Sequence, residues 1–220
     1  MSNSSPRAQL SFLVTSLCIL ALLFGLWLYH NLGHHEDNSD TQLVSATVFQ
    51  QPRALTPFNL TDDNDHPFTL DNFKGHWSLL FFGFTNCPDL CPTTLSVLNQ
   101  AYKQLASTNP KTMPQVVFIS VDPEQDDSQT IAKYLSSFNP SFLGATGSQS
   151  TLDQLTRELN VLYMKVAPPQ ANTDEHYSID HSGTILIINP QGQFYGVFTT
   201  PHDPNKIAKD TQTLMAALEK

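Results

Sequence analysis

The chain has 220 residues, 40% of them hydrophobic, and its 20 Asp and Glu outnumber its 11 Lys and Arg, giving a net charge of −9. This length is enough for one domain of about 150 to 170 residues together with a membrane anchor. The acidic balance argues against nucleic-acid binding, which favours basic surfaces, and is compatible with a basic protein partner.

An uncharged apolar stretch near the N-terminus predicts a single transmembrane helix. Residues 10–29 include no charged side chain, and about twenty helical residues span the roughly 30 Å core of a bilayer. Arg7 precedes the stretch, whereas the next basic residue is Arg53, so the positive-inside rule places the N-terminus in the cytoplasm. A cleaved signal peptide is the alternative, but it favours a shorter apolar core and a small-x-small cleavage site.

The expected localisation is therefore the bacterial inner membrane, with the C-terminal part in the periplasm. The sequence predicts four segments: a cytoplasmic tail at 1–8, a transmembrane anchor at 9–29, a polar tether at 30–51 and a domain at 52–220. Because the periplasm is oxidising, a working pair of thiols there needs a reductant or a bound metal. His30, His34 and His35 in the tether could collect metal ions, although an ordinary polar segment is the more common explanation.

Within the domain, apolar runs of strand length alternate with segments of helical periodicity. Strands are predicted at 77–84, 115–121, 142–145, 161–166, 184–188 and 193–198, and helices at 93–106, 128–138, 151–159 and 203–218. A hairpin with an acidic turn at 62–65 precedes them. This order predicts an α/β fold in which helices cover a central sheet.

Two cysteines, Cys87 and Cys91, lie between the first core strand and the helix that follows it. Their spacing is about one helical turn, so both side chains face the same side. If the helix begins near Pro88, the partial positive charge at its N-terminus favours thiolate over thiol. A reactive dithiol at this point of an α/β chain is the thioredoxin arrangement, and it fits the placement of α/β sites at the carboxyl ends of strands.

The cysteine spacing leaves metal binding and redox chemistry open. A structural disulfide is the conventional alternative, but closing so short a loop contributes little stability. Thiolates select soft ions such as Cu(I), whereas Zn(II) is a weaker candidate because it prefers four ligands. A thiol-disulfide oxidoreductase, or a peroxidase of related fold, would instead use Cys87 as the attacking thiolate and Cys91 as the resolving thiol.

A third metal ligand could come from His181, which precedes the predicted strand at 184–188. In a thioredoxin-like fold this part of the chain packs beside the dithiol, so an imidazole there would complete a Cys-Cys-His site. Asp180 or a nearby carbonyl could orient the ring. The other candidates are His176, which is expected to be solvated, and His202, which is expected to belong to a helix cap.

Three blocks of sequence resemble the Sco/SenC family, the membrane-anchored copper chaperones for cytochrome c oxidase assembly. The blocks are residues 82–92, 118–126 and 177–182, and the resemblance covers roughly 52–220. Two departures are small: Gln125 stands where the family often has a basic residue, and Asn86 where many members have His.

The resemblance implies a thioredoxin-like fold with an extra N-terminal hairpin, and one copper ion per chain, as Cu(I) or Cu(II), held by Cys87, Cys91 and His181. The expected acceptor is the copper A site of cytochrome c oxidase subunit II, which would receive copper or have its thiols reduced, or else another copper enzyme. A copper donor protein and a thiol reductant are also expected partners. A scaffold that only docks oxidase subunits remains an alternative.

Overall fold

The structure is a computed structural model that describes residues 6–32, 43–108, 110–166 and 178–217. The chain divides into two compact units, Met1–Asp40 and Thr41–Lys220.

The first unit is described through one helix, α1 (Pro6–Leu32). Its side chains are described only for residues 15–28, and nearly all of these are exposed. Among the described residues, no helix is both long enough and apolar enough to cross a membrane. The predicted anchor at 9–29 includes residues whose side chains lie outside this description, and so do parts of the predicted tail and tether.

The second unit alternates strands and helices in the predicted order. Its elements are β1 (Ala46–Ala54), β2 (Asn59–Asp62), β3 (Pro67–Thr69), β4 (Ser78–Gly83), α2 (Leu90–Ser107), β5 (Gln115–Ser120), α3 (Ser128–Ser136), β6 (Leu143–Thr146), α4 (Gln149–Glu158), β7 (Tyr163–Val166), β8 (Ser178–His181), β9 (Ile185–Ile188), β10 (Gln193–Phe198) and α5 (Pro204–Ala217).

Eight of these strands form one mixed sheet in the order β1-β10-β9-β4-β5-β6-β2-β3. β4, β5 and β6 are parallel neighbours, and the remaining pairs are antiparallel. Parallel neighbours need a crossover, which α2 supplies between β4 and β5 and α3 supplies between β5 and β6. The strands β7 and β8 form a separate antiparallel pair.

The hydrophobic core lies on both faces of the central strands. Every residue of β4 and of β9 is buried, which requires cover on both faces of the sheet. The helices supply that cover: α2 packs against α5, and α3 packs against β6. The predicted central sheet with flanking helices is therefore confirmed.

The predicted N-terminal hairpin is confirmed by the antiparallel pairing of β2 with β3. The backbone amides of Asn64 and His66 both donate to the Asp62 carboxylate, which fixes the acidic turn. Because β2 also pairs with β6, the hairpin extends the edge of the main sheet.

The folded unit begins earlier than the sequence predicts, because β1 starts within the segment assigned to the tether. β1 is an edge strand paired with β10. The buried carboxylate of Asp210, in α5, accepts hydrogen bonds from the amides of Val44, Ser45 and Ala46 as the chain enters β1. Half-exposed edge strands carry polar residues, and this carboxylate lies 164 to 166 residues away, so local sequence patterns do not reveal the strand.

Candidate metal and redox site

The dithiol turn, defined as residues 84–91, connects the end of β4 to the first turn of α2. The helix begins at Leu90, because Asp89 has the non-helical torsion angles φ −141° and ψ −57°. The helix therefore begins two residues after Pro88 and three residues before the predicted bound of 93. Cys87 lies in the turn before the helix, and Cys91 lies inside its first turn.

The two cysteines are in direct contact. The backbone N–H of Cys91 donates a hydrogen bond to Cys87 Sγ, with an N···S distance of 3.4 Å. This contact gives a partner to one of the first-turn amides that a helix leaves unpaired. Cys91 has 0% of its surface exposed, whereas Cys87 is partly exposed. Cys87 is thus partly accessible from solvent, and Cys91 is not.

The buried sulfur lies against the carboxyl end of β4 and a ring of β5. A Cβ atom built on Gly83 would lie 2.6 Å from Cys91 Sγ and 2.8 Å from a ring carbon of Phe118. The absence of a side chain at position 83 therefore makes room for the Cys91 sulfur.

Burial raises the pKa of the Cys91 thiol, and the neighbouring charge of Cys87 raises it further. This overturns the expectation that the helix N-terminus favours thiolate at Cys91. A helix terminus stabilises a charge by about 1 kcal/mol, whereas removing a charge from water costs several kcal/mol. Burial therefore favours the neutral thiol of Cys91 over the thiolate.

A buried carboxylate ties the dithiol turn to the loop after β5. Asp126 accepts hydrogen bonds from the Thr85 backbone amide at 2.8 Å, from the Thr85 hydroxyl and from the Ser120 hydroxyl. Asp126 is almost fully buried, and bonds to a charged acceptor are among the stronger ones in proteins. This network holds the backbone next to Cys87 in place.

The strand that carries His181 leads the chain to the dithiol turn. A Cβ on Gly183 would lie 3.1 Å from Leu90 Cδ1, and Leu90 immediately precedes Cys91. In the β7–β8 pair, position 181 lies opposite Tyr163 and two residues from the buried Ile179. Because alternate residues of a strand share a face, position 181 shares the face of Ile179. The side chain of His181 itself lies outside the described residues.

Two side chains of β7 hold the β7–β8 pair against the rest of the domain. The Lys165 ammonium lies 3.3 Å from the Asp122 carboxylate and 3.0 Å from that of Glu124, both in the loop after β5. The Tyr163 hydroxyl donates to the Asp153 carboxylate of α4. The same loop therefore contacts both the dithiol turn, through Asp126, and the strand pair that contains position 181.

The described side chains include no group of three or more His, Cys, Asp or Glu placed to hold a metal ion. His176 also lies outside the described residues. His202 lies with Nε2 2.5 Å from the Gly183 carbonyl oxygen, and this nitrogen must be the donor because a carbonyl only accepts. The expectation that His202 belongs to the cap of α5 is wrong, since Asp203 accepts from the amides at the helix start instead.

Sequence reasoning gave no role to Asp126, which bonds to the dithiol turn, or to Lys165, which bonds to the loop after β5. Asp126 lies at the end of the second family-like block, residues 118–126, which was a usable signal. Lys165 lies on an element whose pattern only indicates a strand, and its partners Asp122 and Glu124 are distant in sequence.

Comparison with known proteins gives consistent matches along this unit. The SCO1/SenC family model matches residues 47–216. The human mitochondrial protein SCO2 homolog is 34% identical over 212 residues, covering 96% of this chain and 77% of that protein. The crystal structure of Arabidopsis thaliana ScoI with copper bound has a TM-score of 0.66 and 33% identity, covering 73% of this chain and 98% of that one. Yeast Sco1 with copper bound also has a TM-score of 0.66, with 30% identity, covering 77% of this chain and 90% of that one.

Proposed function

This chain belongs to the SCO1/SenC family, and on that premise we propose that it is a membrane-tethered copper chaperone. Copper is its cargo, one ion per chain, held by Cys87, Cys91 and His181 as Cu(I) or Cu(II). Related proteins from Arabidopsis thaliana and yeast have been solved with copper bound. Cu(I) suits this donor set because it is soft and accepts few ligands.

One observation carries the ligand assignment: Gly183, two residues beyond His181, packs against Leu90 of the dithiol turn. The segment after β8 is therefore brought to the residue that immediately precedes Cys91. Position 181 is two residues from the buried Ile179 in the same strand. The donor chemistry also fits, since two neighbouring sulfurs and an imidazole are a donor set that suits Cu(I).

The acceptor in this proposal is the copper A site of cytochrome c oxidase subunit II, or the corresponding site of another copper enzyme. The partly exposed Cys87 supports a transfer role, because an acceptor must reach at least one ligand of the donor. A copper donor protein loads the site, and a thiol reductant keeps the cysteines reduced in an oxidising compartment.

The proposed placement is a single-pass protein of a bacterial inner membrane with its domain in the periplasm. It rests on the uncharged stretch at 10–29 and on the single flanking Arg7. Cell fractionation with carbonate extraction tests the anchor, since a peripheral protein would be released into the wash. The tail at 1–8, the anchor at 9–29 and a tether from residue 30 to the start of the folded unit remain predictions from the sequence.

Anaerobic copper titration of the reduced chain tests the chaperone role. We expect one copper per chain, with Cu(II) affinity strongly reduced in His181→Ala and both thiols still titratable in that variant. His66→Ala is the matched control, because His66 is an exposed histidine in the β2–β3 turn. A variant lacking His30, His34 and His35 distinguishes copper bound by the tether histidines from copper bound at the proposed site. Failure of the wild type to take up stoichiometric copper would refute the proposal.

A thiol-disulfide oxidoreductase is the second candidate, favoured by the unequal exposure of the two cysteines. The accessible Cys87 suits the attacking role and the buried Cys91 suits the resolving role. That activity has no need of His181, so His181→Ala would leave the thiol exchange rate unchanged while copper affinity falls. Loss of both cysteines with oxidase assembly intact would instead favour a docking scaffold.

A further inference from the structure

A histidine just before α5 bonds to the chain just after β8. His202 Nε2 donates a hydrogen bond to the carbonyl oxygen of Gly183, at a distance of 2.5 Å. The other ring nitrogen, Nδ1, is shielded from solvent and has no hydrogen-bond partner among the described atoms. Because Gly183 lies two residues after His181, the bond from His202 holds the backbone next to the proposed third ligand.

The packing around Gly183 is close on two sides. A Cβ atom built on Gly183 would lie 2.9 Å from Thr200 Cγ2 and 3.1 Å from Leu90 Cδ1. Thr200 belongs to the connection between β10 and α5, which also contains His202, and Leu90 immediately precedes Cys91. The chain after β8 is therefore enclosed between the dithiol turn and the connection that supplies the hydrogen bond.

His202 is attached to the helix that carries Cys91. It immediately precedes Asp203, whose carboxylate accepts hydrogen bonds from the amides at the start of α5. The helix α5 packs against α2, and the side-chain amide of Gln104 in α2 donates to Asn205 Oδ1 in α5 at 2.9 Å. Since Cys91 lies in the first turn of α2, these contacts set the position of the His202 ring relative to one of the two sulfurs.

We propose that His202 is a positioning residue, and that its bond to the Gly183 carbonyl holds the segment that follows His181 against the dithiol turn. Its relevance to copper rests on the proposed binding of the ion by Cys87, Cys91 and His181. His202 is not a ligand in this arrangement. Its bond determines where the imidazole of the ligand histidine is presented and leaves the two sulfurs as they are.

Loss of this bond should weaken Cu(II) binding more than Cu(I) binding. Two thiolates suit Cu(I), whereas an imidazole contributes more to Cu(II) binding. Removing an outer partner of a metal ligand costs about 10–100-fold in affinity, and since His202 acts on the backbone near the ligand we expect about a tenfold loss for Cu(II). With Cu(I) affinity unchanged, a tenfold loss raises the Cu(II)/Cu(I) potential by about 59 mV. A general loss of stability would instead lower both affinities together and leave the potential unchanged.

Two substitutions at position 202 separate the hydrogen bond from the ring. His202→Phe keeps a flat ring but removes the donor, so it should show the loss of Cu(II) affinity and the rise in potential. His202→Gln keeps an N–H donor and should return both quantities to their wild-type values. His76→Phe is the matched control, because His76 Nε2 lies 3.1 Å from the Asn72 carbonyl oxygen but precedes the amino end of β4, away from the dithiol. A shift in His76→Phe equal to that in His202→Phe, or no recovery in His202→Gln, would overturn the proposal.

Hydrogen exchange of the metal-free full chain tests the positioning without copper. The amides of residues 182–184 should exchange faster in His202→Phe than in the wild type, and at the wild-type rate in His202→Gln and His76→Phe. Unchanged exchange in His202→Phe would overturn this inference alone and leave the copper proposal standing. If the wild type binds no copper while exchange changes as expected, the chaperone role fails and the positioning of this segment by His202 stands.

Discussion

No Cβ atom fits at Gly83, because it would lie 2.6 Å from the sulfur of Cys91. Real Cβ atoms do not approach other atoms so closely. The same Cβ would also lie 2.8 Å from a ring carbon of Phe118. The position of the buried Cys91 sulfur is therefore restricted by a residue of the preceding strand.

We predict that Gly83→Ala displaces the Cys91 sulfur, destabilises the domain by about 1–3 kcal/mol through overpacking and weakens Cu(I) binding. Urea unfolding and chelator competition measure the two effects. Gly147→Ala is the control, since its Cβ would lie equally close, at 2.6 Å, to a side-chain carbon of Leu60 in β2. Equal loss of Cu(I) affinity in both variants would show that destabilisation alone explains the result.

Copper(I) binding should be strongly pH-dependent, because burial raises the pKa of the Cys91 thiol. The metal-free protein keeps this proton at neutral pH and must release it to bind. Apparent Cu(I) affinity is expected to rise about tenfold per pH unit for each proton released. A Cu(I) titration in weak buffer measures the number of protons released on binding, and Cys91→Ser should lower that number by one. A Cu(I) affinity that is independent of pH would contradict the prediction.

The same raised pKa predicts how stability of the metal-free domain varies with pH. A thiol whose pKa is higher in the folded state contributes stability fully below its ordinary value of 9.0. Above that pH the unfolded chain ionises while the folded state keeps its proton, so stability falls. Burial and the hydrogen bond to Asp153 raise the pKa of Tyr163 to about 12. Tyr163 therefore adds a similar loss of stability, but only above pH 10.0. Denaturant unfolding just above pH 9.0 should show the fall in the wild type and a shallower one in Cys91→Ala.

Lys165 is predicted to hold the β7–β8 pair in place for copper binding. Lys165→Met leaves the buried Asp122 carboxylate without this cation and should cost about 1–2 kcal/mol. Hydrogen exchange should accelerate in β7 and β8. If His181 is the third ligand as proposed, Cu(II) affinity should fall more than Cu(I) affinity, because an imidazole contributes more to Cu(II) binding. Lys165→Arg should restore both.

The control for this prediction is Lys74→Met, which breaks an exposed ion pair with Asp71 at 2.6 Å and should change stability by less than about 1 kcal/mol. An unchanged exchange rate in β7 and β8 of Lys165→Met would show that Tyr163 alone suffices to hold the pair.

Asp210 is predicted to hold the start of the folded unit. Its buried carboxylate accepts bonds from three successive amides and from the Ser45 hydroxyl, so Asp210→Ala should cost about 3 kcal/mol or more. Limited proteolysis should then cut near residue 44. Asp203→Ala, which removes an ordinary helix cap, should cost about 1 kcal/mol, and a similar loss in the two variants would count against the special role of Asp210.

The sequence was sufficient to predict the central sheet and its helices. Strands such as β4 are continuous apolar runs, and helices such as α2 have apolar residues at helical spacing. It was not sufficient to predict β1, because the exposed face of this strand is polar. The Asp210 carboxylate that bonds the chain entering β1 is also far away in the sequence. The spacing of Cys87 and Cys91 also predicted correctly that the two residues are neighbours in the fold. The protonation state of Cys91 was predicted wrongly, because burial depends on Gly83 and Phe118, which only the packed fold brings to the sulfur.

The unequal exposure of the two sulfurs gives any exchange at this site an order. An incoming thiol or imidazole meets Cys87 from solvent, while Cys91 has no surface to offer. If these cysteines hold an ion as proposed, a ligand of the acceptor would reach it on the Cys87 side, and the bond to Cys91 would be the last to break. An ion handed over in this order would have at least one protein ligand at every stage.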